Sequence, residues 1–276
     1  MDGVTTTIET GRPRIEATVF GAGLPAVVIE PAFGGTAQDW RKIAEVLAAD
    51  TTVVTYDRVP YGASSRARDR RTPGDVAADL NAVLESLEIR GPLVLVGHSL
   101  GGVYVRSYAA RHMERVAGMV LVDSTHEAQR PVLRARYSLP KRVGLAFMVP
   151  QLIVRTRRWR GGADRRSIIR EYRTLTRLRA VDSSLTRGAL GGRPLIVLTR
   201  GPENDADAAG VWLAWRDLQR DLARLSANSR HVISRSCDHY LIRGDPELVI
   251  GAISEVIKSA RTGTPLGRQV AASDGE

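Results

Sequence analysis

Short apolar runs alternate along the chain with longer segments whose apolar positions recur every three or four residues. "IEATVF" (15–20), "PAVVIEP" (25–31), "TTVVTYD" (51–57), "PLVLVG" (92–97), "AGMVLVD" (117–123), "RPLIVLTR" (193–200) and "RHVISRS" (230–236) read as strands. A Gly-rich turn joins the first two. "DWRKIAEVLAAD" (39–50) has helical spacing, with Ile43, Val46 and Leu47 on one face. "PGDVAADLNAVLESLEI" (73–89) is helical too, and Pro73 suits a first helical turn. "LGGVYVRSYAARH" (100–112) and "DPELVIGAISEVIKSAR" (245–261) follow the same period. This alternation predicts an α/β fold, a mostly parallel central sheet with helices on both faces. The continuous apolar runs among these segments fit strands buried on both faces.

The alternation stops between about 126 and 192, where the chain is Arg-rich, helix-like and without a clear strand. We therefore expect an inserted helical cap over 126–192, a core built from 1–125 and 193–261, and a polar, frayed tail over 262–276. A length of 276 residues fits one domain with such an insertion. The longest apolar stretch, "VGLAFMVP" (143–150), is too short to span a bilayer. The opening "MDGVTTTIET" lacks a charged-then-apolar leader pattern, so a cytoplasmic protein is expected. The single cysteine, Cys237, excludes an intrachain disulfide.

Charge refines the picture of the insertion. The chain carries +10 overall, but residues 130–179 alone carry +13 and the rest −3. Neither zinc-finger spacing nor an aromatic RNA-binding motif accompanies the basic region, so no nucleic-acid partner is expected. Its simplest reading is a solvated Arg-rich face. The sharper one is a surface that attracts anionic substrates, lipid headgroups or an acidic partner. Residues 139–159 mix apolar residues with basic flanks, as a segment meeting a lipid surface would. Packing of a cap onto its core accounts for the same run and is preferred. The sequence leaves the oligomeric state open.

Candidate chemistry concentrates at one strand end. The run "LVLVG" enters His98-Ser99-Leu100-Gly101-Gly102 and then a helix. Gly97 and Gly101 flank Ser99 two residues to either side. A nucleophile on so sharp a strand-to-helix turn needs small neighbours there, and the helix aims its N-terminal N–H groups at the site. A bare G-x-S-x-G is weak; in strand–turn–helix context it is specific.

"VGHSLGG" resembles the nucleophile elbow of the α/β-hydrolase superfamily. "VVIEPAFGGTAQDW" (27–40) resembles that family's oxyanion loop, "VVTYDRVPYGASS" (53–65) its D-R-x-G-x-G-x-S segment with Pro60 in place of glycine, and "CDHYLIRGDPELVIGAI" its histidine loop and last helix. The nearest group is the serine-hydrolase branch with a helical cap, which includes esterases, lipases and lactonases. The resemblance implies backbone oxyanion donors at Leu100 and Phe33, where Pro31-Ala32-Phe33-Gly34-Gly35 stands in place of the usual His-Gly. It also implies a nucleophile that needs neither metal nor organic cofactor. A serine at the elbow speaks against dehalogenase or epoxide hydrolase chemistry, which in this superfamily starts from an aspartate.

A serine hydroxyl needs a base. Of five histidines, His112 ends the elbow helix, His126 enters the insertion and His231 opens a strand. His98 lies in the elbow, with its side chain expected to point away from the nucleophile's partner. His239 follows the last strand, at the same sheet edge as Ser99, and is the candidate base. The base in turn needs a carboxylate. Asp123 ends the strand after the elbow helix. Asp205 and Asp207, in "TRGPENDADAAG" after the following strand, occupy the family's other position for the acid. Asp123 is preferred over Asp205, although Ser124 and Glu127 fit a capping box that would give this stretch a helix-starting role. The aromatics Trp159, Trp212, Trp215 and Tyr240 are left without a role. The expectation is a serine hydrolase for an ester, lactone or related acyl bond of a small, apolar substrate. An acyltransferase, a carbon–carbon bond hydrolase and a slow-turnover ligand receptor are the alternatives on the same residues.

Overall fold

The computed structural model describes residues 3–9, 14–65, 71–134, 169–173, 185–202 and 206–267. Among them, eight strands form one sheet: β1 (Val4–Ile8), β2 (Ile15–Phe20), β3 (Ala26–Glu30), β4 (Val53–Tyr56), β5 (Leu93–His98), β6 (Val116–Val122), β7 (Leu195–Thr199) and β8 (Ser229–Ile233). Their spatial order is β1-β2-β4-β3-β5-β6-β7-β8. The pairs β1–β2 and β2–β4 are antiparallel, and every pair from β4 to β8 is parallel. The sheet is mostly parallel, as the alternation predicts. The Gly-rich turn does join β2 to β3, but β4 lies between them.

The helices are α1 (Ala37–Leu47), α2 (Pro73–Ser86), α3 (Gly101–Ala109), α4 (Gln129–Arg134), α5 (Ala206–Ala223), α6 (Leu241–Gly244) and α7 (Pro246–Thr262). Strand period two splits the core between the faces. Leu93 and Leu95 join Leu80, Val83, Val105 and Leu222 on one side, beneath α2, α3 and α5. Val94 and Val96 join Trp40, Ile43, Ile253 and Val256 on the other, beneath α1 and α7. Local chemistry sets the helix ends. Thr72 Oγ1 accepts from Asp75 N while Asp75 Oδ2 accepts from Thr72 N, with Pro73 in the first turn of α2. Gly263, at φ +69°, ends α7 in the left-handed conformation.

Several elements differ from expectation. β1 pairs at the outer edge on a strongly polar pattern that sequence does not mark as a strand. α5 occupies a stretch opened by polar residues. In α1 the buried face is Trp40, Ile43, Ala44 and Leu47, whereas Val46 is 55% exposed. Two hydrogen bonds tie the start of the tail to the core: Ser259 Oγ donates to Thr264 O at 2.6 Å, and Leu266 N donates to Asn228 Oδ1 at 2.9 Å. Of the proposed cap, 135–168 and 174–184 lie outside the described residues, as do 268–276 of the tail. Leu190 belongs to the core beneath α5. No helix among the described residues is long and apolar enough to cross a membrane.

The topology positions the site. From β3 the chain moves outward through α1 to β4, then returns through α2 to β5 on the other side of β3. The order in which the chain adds strands reverses there, and crevices of α/β sheets form outside the carboxyl ends of such neighbouring strands. The loop after Glu30 and the turn at Ser99 flank that crevice.

Candidate active site

Ser99 follows β5 directly and adopts φ +52°, a left-handed conformation that disfavours non-glycine residues. Such strain costs about 1–3 kcal/mol and persists only where neighbours enforce it. Here Ser99 N donates to Val122 O at 3.0 Å, and Thr125 N donates to Ser99 O at 2.9 Å. The glycines are required by close approach. A Cβ on Gly101 would lie 2.2 Å from Glu30 O, and one on Gly102 would lie 1.9 Å from Ser124 Oγ. Helix α3 therefore starts hard against the loop after β3. Phe33 of that loop packs against Val76, Leu100, Val103 and Tyr104. Among the described residues, the N–H groups of Phe33 and Leu100 donate to no backbone acceptor.

Asp123 ends β6 and is fully buried, at φ +39°. Its Oδ2 lies 2.6 Å from His239 Nδ1 and accepts from Arg200 Nη1 at 3.0 Å. Its Oδ1 accepts from Trp215 Nε1 at 2.6 Å and Arg200 N at 3.2 Å. Burial alone would raise the carboxyl's pKa, but the hydrogen bond and charge of His239, then Arg200 and Trp215, outweigh it and hold Asp123 down at about 2. The capping box is not formed: Ser124 Oγ donates to Thr125 O, and Glu127 pairs with Arg106. Asp205 lies outside the described residues.

His239 sits between β8 and α6, and its side chain is 34% exposed. His98 does not point away from it. His98 Nε2 lies 2.9 Å from His239 O, and the two rings are 5.1 Å apart. Burial, then the neighbouring His239, pushes His98 down to about 3. It is a neutral imidazole donating to the loop that carries the candidate base. The other histidines lie apart from this cluster: His126 contacts Asp221, and His231 contacts Thr199. No three His, Cys, Asp or Glu side chains gather as a metal site among the described residues.

Ser99, Asp123 and His239 thus stand at the ends of β5 and β6 and just beyond β8, along one edge of the sheet. A family model for the alpha/beta hydrolase fold matches residues 25–146, which run from β3 through the Ser99 turn and Asp123. The chain has the alpha/beta hydrolase fold. The chain is 24% identical over 239 residues to the Bacillus subtilis (strain 168) protein YqjL, covering 86% of this chain and 85% of that one. Several other curated relatives are matched over less than half of their own length. Among solved structures, an esterase from Thermogutta terrifontis superposes with a TM-score of 0.70 at 22% identity, covering 95% of this chain and all of that one. The enol-lactonase of Burkholderia xenovorans LB400 gives 0.68 at 15% identity, covering 92% and 100%. At these identities the likeness is one of fold.

Sequence reasoning missed two groups on Asp123. Arg200 follows β7, and the register Val122↔Leu198 puts its strand end beside that of β6. Trp215 reaches the carboxylate from α5.

Proposed function

We propose that the chain is a serine hydrolase that cleaves an ester, lactone or related acyl bond of a small apolar substrate, through an acyl-enzyme on Ser99. One observation carries the reading: the 2.6 Å contact between His239 Nδ1 and a fully buried Asp123 at the sheet edge where Ser99 turns. With Nδ1–H donated to Asp123, the free electron pair of His239 is on Nε2. His239 Nε2 takes the Ser99 proton as Oγ attacks the substrate carbonyl. The N–H groups of Leu100 and Phe33 receive the oxyanion, and Asp123 stabilises the imidazolium. The tetrahedral species collapses, and the alcohol leaves with the proton from His239. His239 then deprotonates a water that attacks the acyl carbon, and Ser99 leaves with the returned proton. Every step uses residues of this chain, without a metal or organic cofactor. The esterase and enol-lactonase of similar fold support the substrate class.

The test is turnover of p-nitrophenyl esters from acetate to decanoate, with and without an added alcohol acceptor. Ser99→Ala is expected to lose about 10⁴-fold or more in kcat, the scale seen when a triad nucleophile is removed. Equal rates for wild type and Ser99→Ala across the panel sink the reading and favour the receptor. Ester product from the alcohol in excess of hydrolysis identifies an acyltransferase.

A further inference from the structure

The loop after β3 is held from beneath by a buried cation that the proposed chemistry does not touch. Arg58 follows β4 and is 1% exposed. Four of its five N–H groups donate hydrogen bonds. Nε donates to Glu171 Oε1 at 2.9 Å, and Nη2 lies 2.8 Å from the same oxygen. Nη1 donates to the Glu30 carboxylate and to Pro31 O at 3.0 Å, and Nη2 donates to Ala32 O at 3.1 Å. The guanidinium lies over the rings of Tyr61 and Tyr104, 5.4 and 4.8 Å from their centroids. Tyr61 and Tyr104 also donate their hydroxyls to Glu171, and Tyr56 donates to Glu30. Beside Glu171, Tyr172 meets Phe33 edge-on at 6.4 Å.

Stability alone does not call for such a cluster, because buried ion groups are often replaceable by well-packed apolar residues at no loss. An apolar residue cannot fix two consecutive carbonyls. In a trans peptide the C=O and the following N–H point opposite ways. Holding Ala32 O toward Arg58 turns Phe33 N–H away from Arg58, while Phe33 packs against the cluster that contains Leu100, next to Ser99 in the chain. Lysine cannot substitute, since the arrangement uses donors on all three nitrogens of a planar fork, and an ammonium has only three donors on one atom.

We propose that Arg58 is a positioning residue of the oxyanion hole: its guanidinium clamps the Pro31 and Ala32 carbonyls, and Glu171 holds the guanidinium in that pose. The proposal rests on the serine-hydrolase reading. The experiment compares wild type, Ser99→Ala, Arg58→Lys and Glu171→Gln on a p-nitrophenyl ester, with thermal midpoints and the inhibition constant of an arylboronic acid, whose tetrahedral adduct needs the oxyanion donors. Arg58→Lys is expected to lose roughly 10²- to 10³-fold in kcat, the scale of one lost oxyanion donor, with KM within about threefold and boronate affinity falling in step. Glu171→Gln keeps one acceptor oxygen and should lose roughly 3- to 30-fold with the same split. It decides the matter if Arg58→Lys does not fold. A lowered thermal midpoint with unchanged kcat and boronate affinity overturns the positioning role. Wild-type turnover that does not depend on Ser99 overturns the underlying reading instead.

Discussion

Replacing Asp123 by asparagine changes one atom and asks most of the site. Trp215 Nε1 and Arg200 N both donate to Oδ1, so the Asn carbonyl is retained there. That places the new NH₂ where Oδ2 now faces His239 Nδ1 and Arg200 Nη1. A donor opposite Nδ1 selects the tautomer with its proton on Nε2, and the base then has no electron pair for Ser99. The imidazolium of the transition state also loses its counter-charge. Two unit charges about 4 Å apart at an effective dielectric of ~20 interact by about 4 kcal/mol, which is about 10³-fold at 1.36 kcal/mol per decade. With the tautomer effect, the expected loss in kcat is roughly 10³- to 10⁴-fold. The assay is kcat and KM on a p-nitrophenyl ester at pH 7 for Asp123→Asn and Asp205→Asn, each with a urea melt to show that the variant is folded. Asp205→Asn should stay within about twofold of wild type. A folded Asp123→Asn enzyme within tenfold of wild type, beside an inactive Asp205→Asn, refutes the assignment of the acid.

Other consequences are smaller but equally definite. Trp215→Phe removes a hydrogen bond to a buried carboxylate, and urea melts should show a loss of about 1.5–3 kcal/mol. Gly101→Ala drives a Cβ into the Glu30 and Pro31 carbonyls at 2.2 and 2.6 Å and should cost about 1–3 kcal/mol or prevent folding. Gly251→Ala in α7 meets open space and should gain about 0.5–1 kcal/mol in the same melts. Acid should weaken the fold before the carboxylates titrate. His98 is held at about 3, below the ordinary histidine value of 6.5, so between those values the unfolded chain binds a proton that the folded chain refuses. Unfolding free energy should fall by up to about 1.4 kcal/mol per pH unit on acidification through that window. Asp123 adds stability that is complete above its unfolded value near 3.8 and is lost as pH falls through about 2. Urea melts between pH 7 and pH 4.5 should show a shallower slope for His98→Asn than for wild type; parallel slopes contradict the assignment.

Most strands of the parallel sheet were legible because burial on both faces writes them as apolar runs, although β8 is only partly buried. β1 was not, because "VTTTI" sits at an edge with only Ile8 buried. In α5, Val211, Ala214, Trp215, Leu218 and Leu222 are buried at helical spacing, but the polar opening "PENDADAAG" hid that period. Ser99 was legible because its turn demands glycines, and Asp123 and His239 because each follows a recognisable strand. Arg200, Arg58 and Glu171 were not. Arg200 meets Asp123 across 77 positions of chain, and Arg58 meets Glu171 across 113. Nothing local distinguishes these residues from surface charges in so basic a sequence. The orientation of His98 was not legible either, since it is set by contacts with His239 and Tyr240, more than 140 positions further along the chain.

Covalent labelling tests most directly whether Ser99 is an activated nucleophile. The protein is treated with an organophosphonate p-nitrophenyl ester, its intact mass is recorded, and the modified peptide is sequenced by fragmentation. One phosphonyl group on Ser99 is expected, absent from Ser99→Ala and formed at least about 10²-fold more slowly in His239→Ala, where the general base is missing. A wild-type protein that stays unmodified, or one modified equally in Ser99→Ala, contradicts the proposed mechanism.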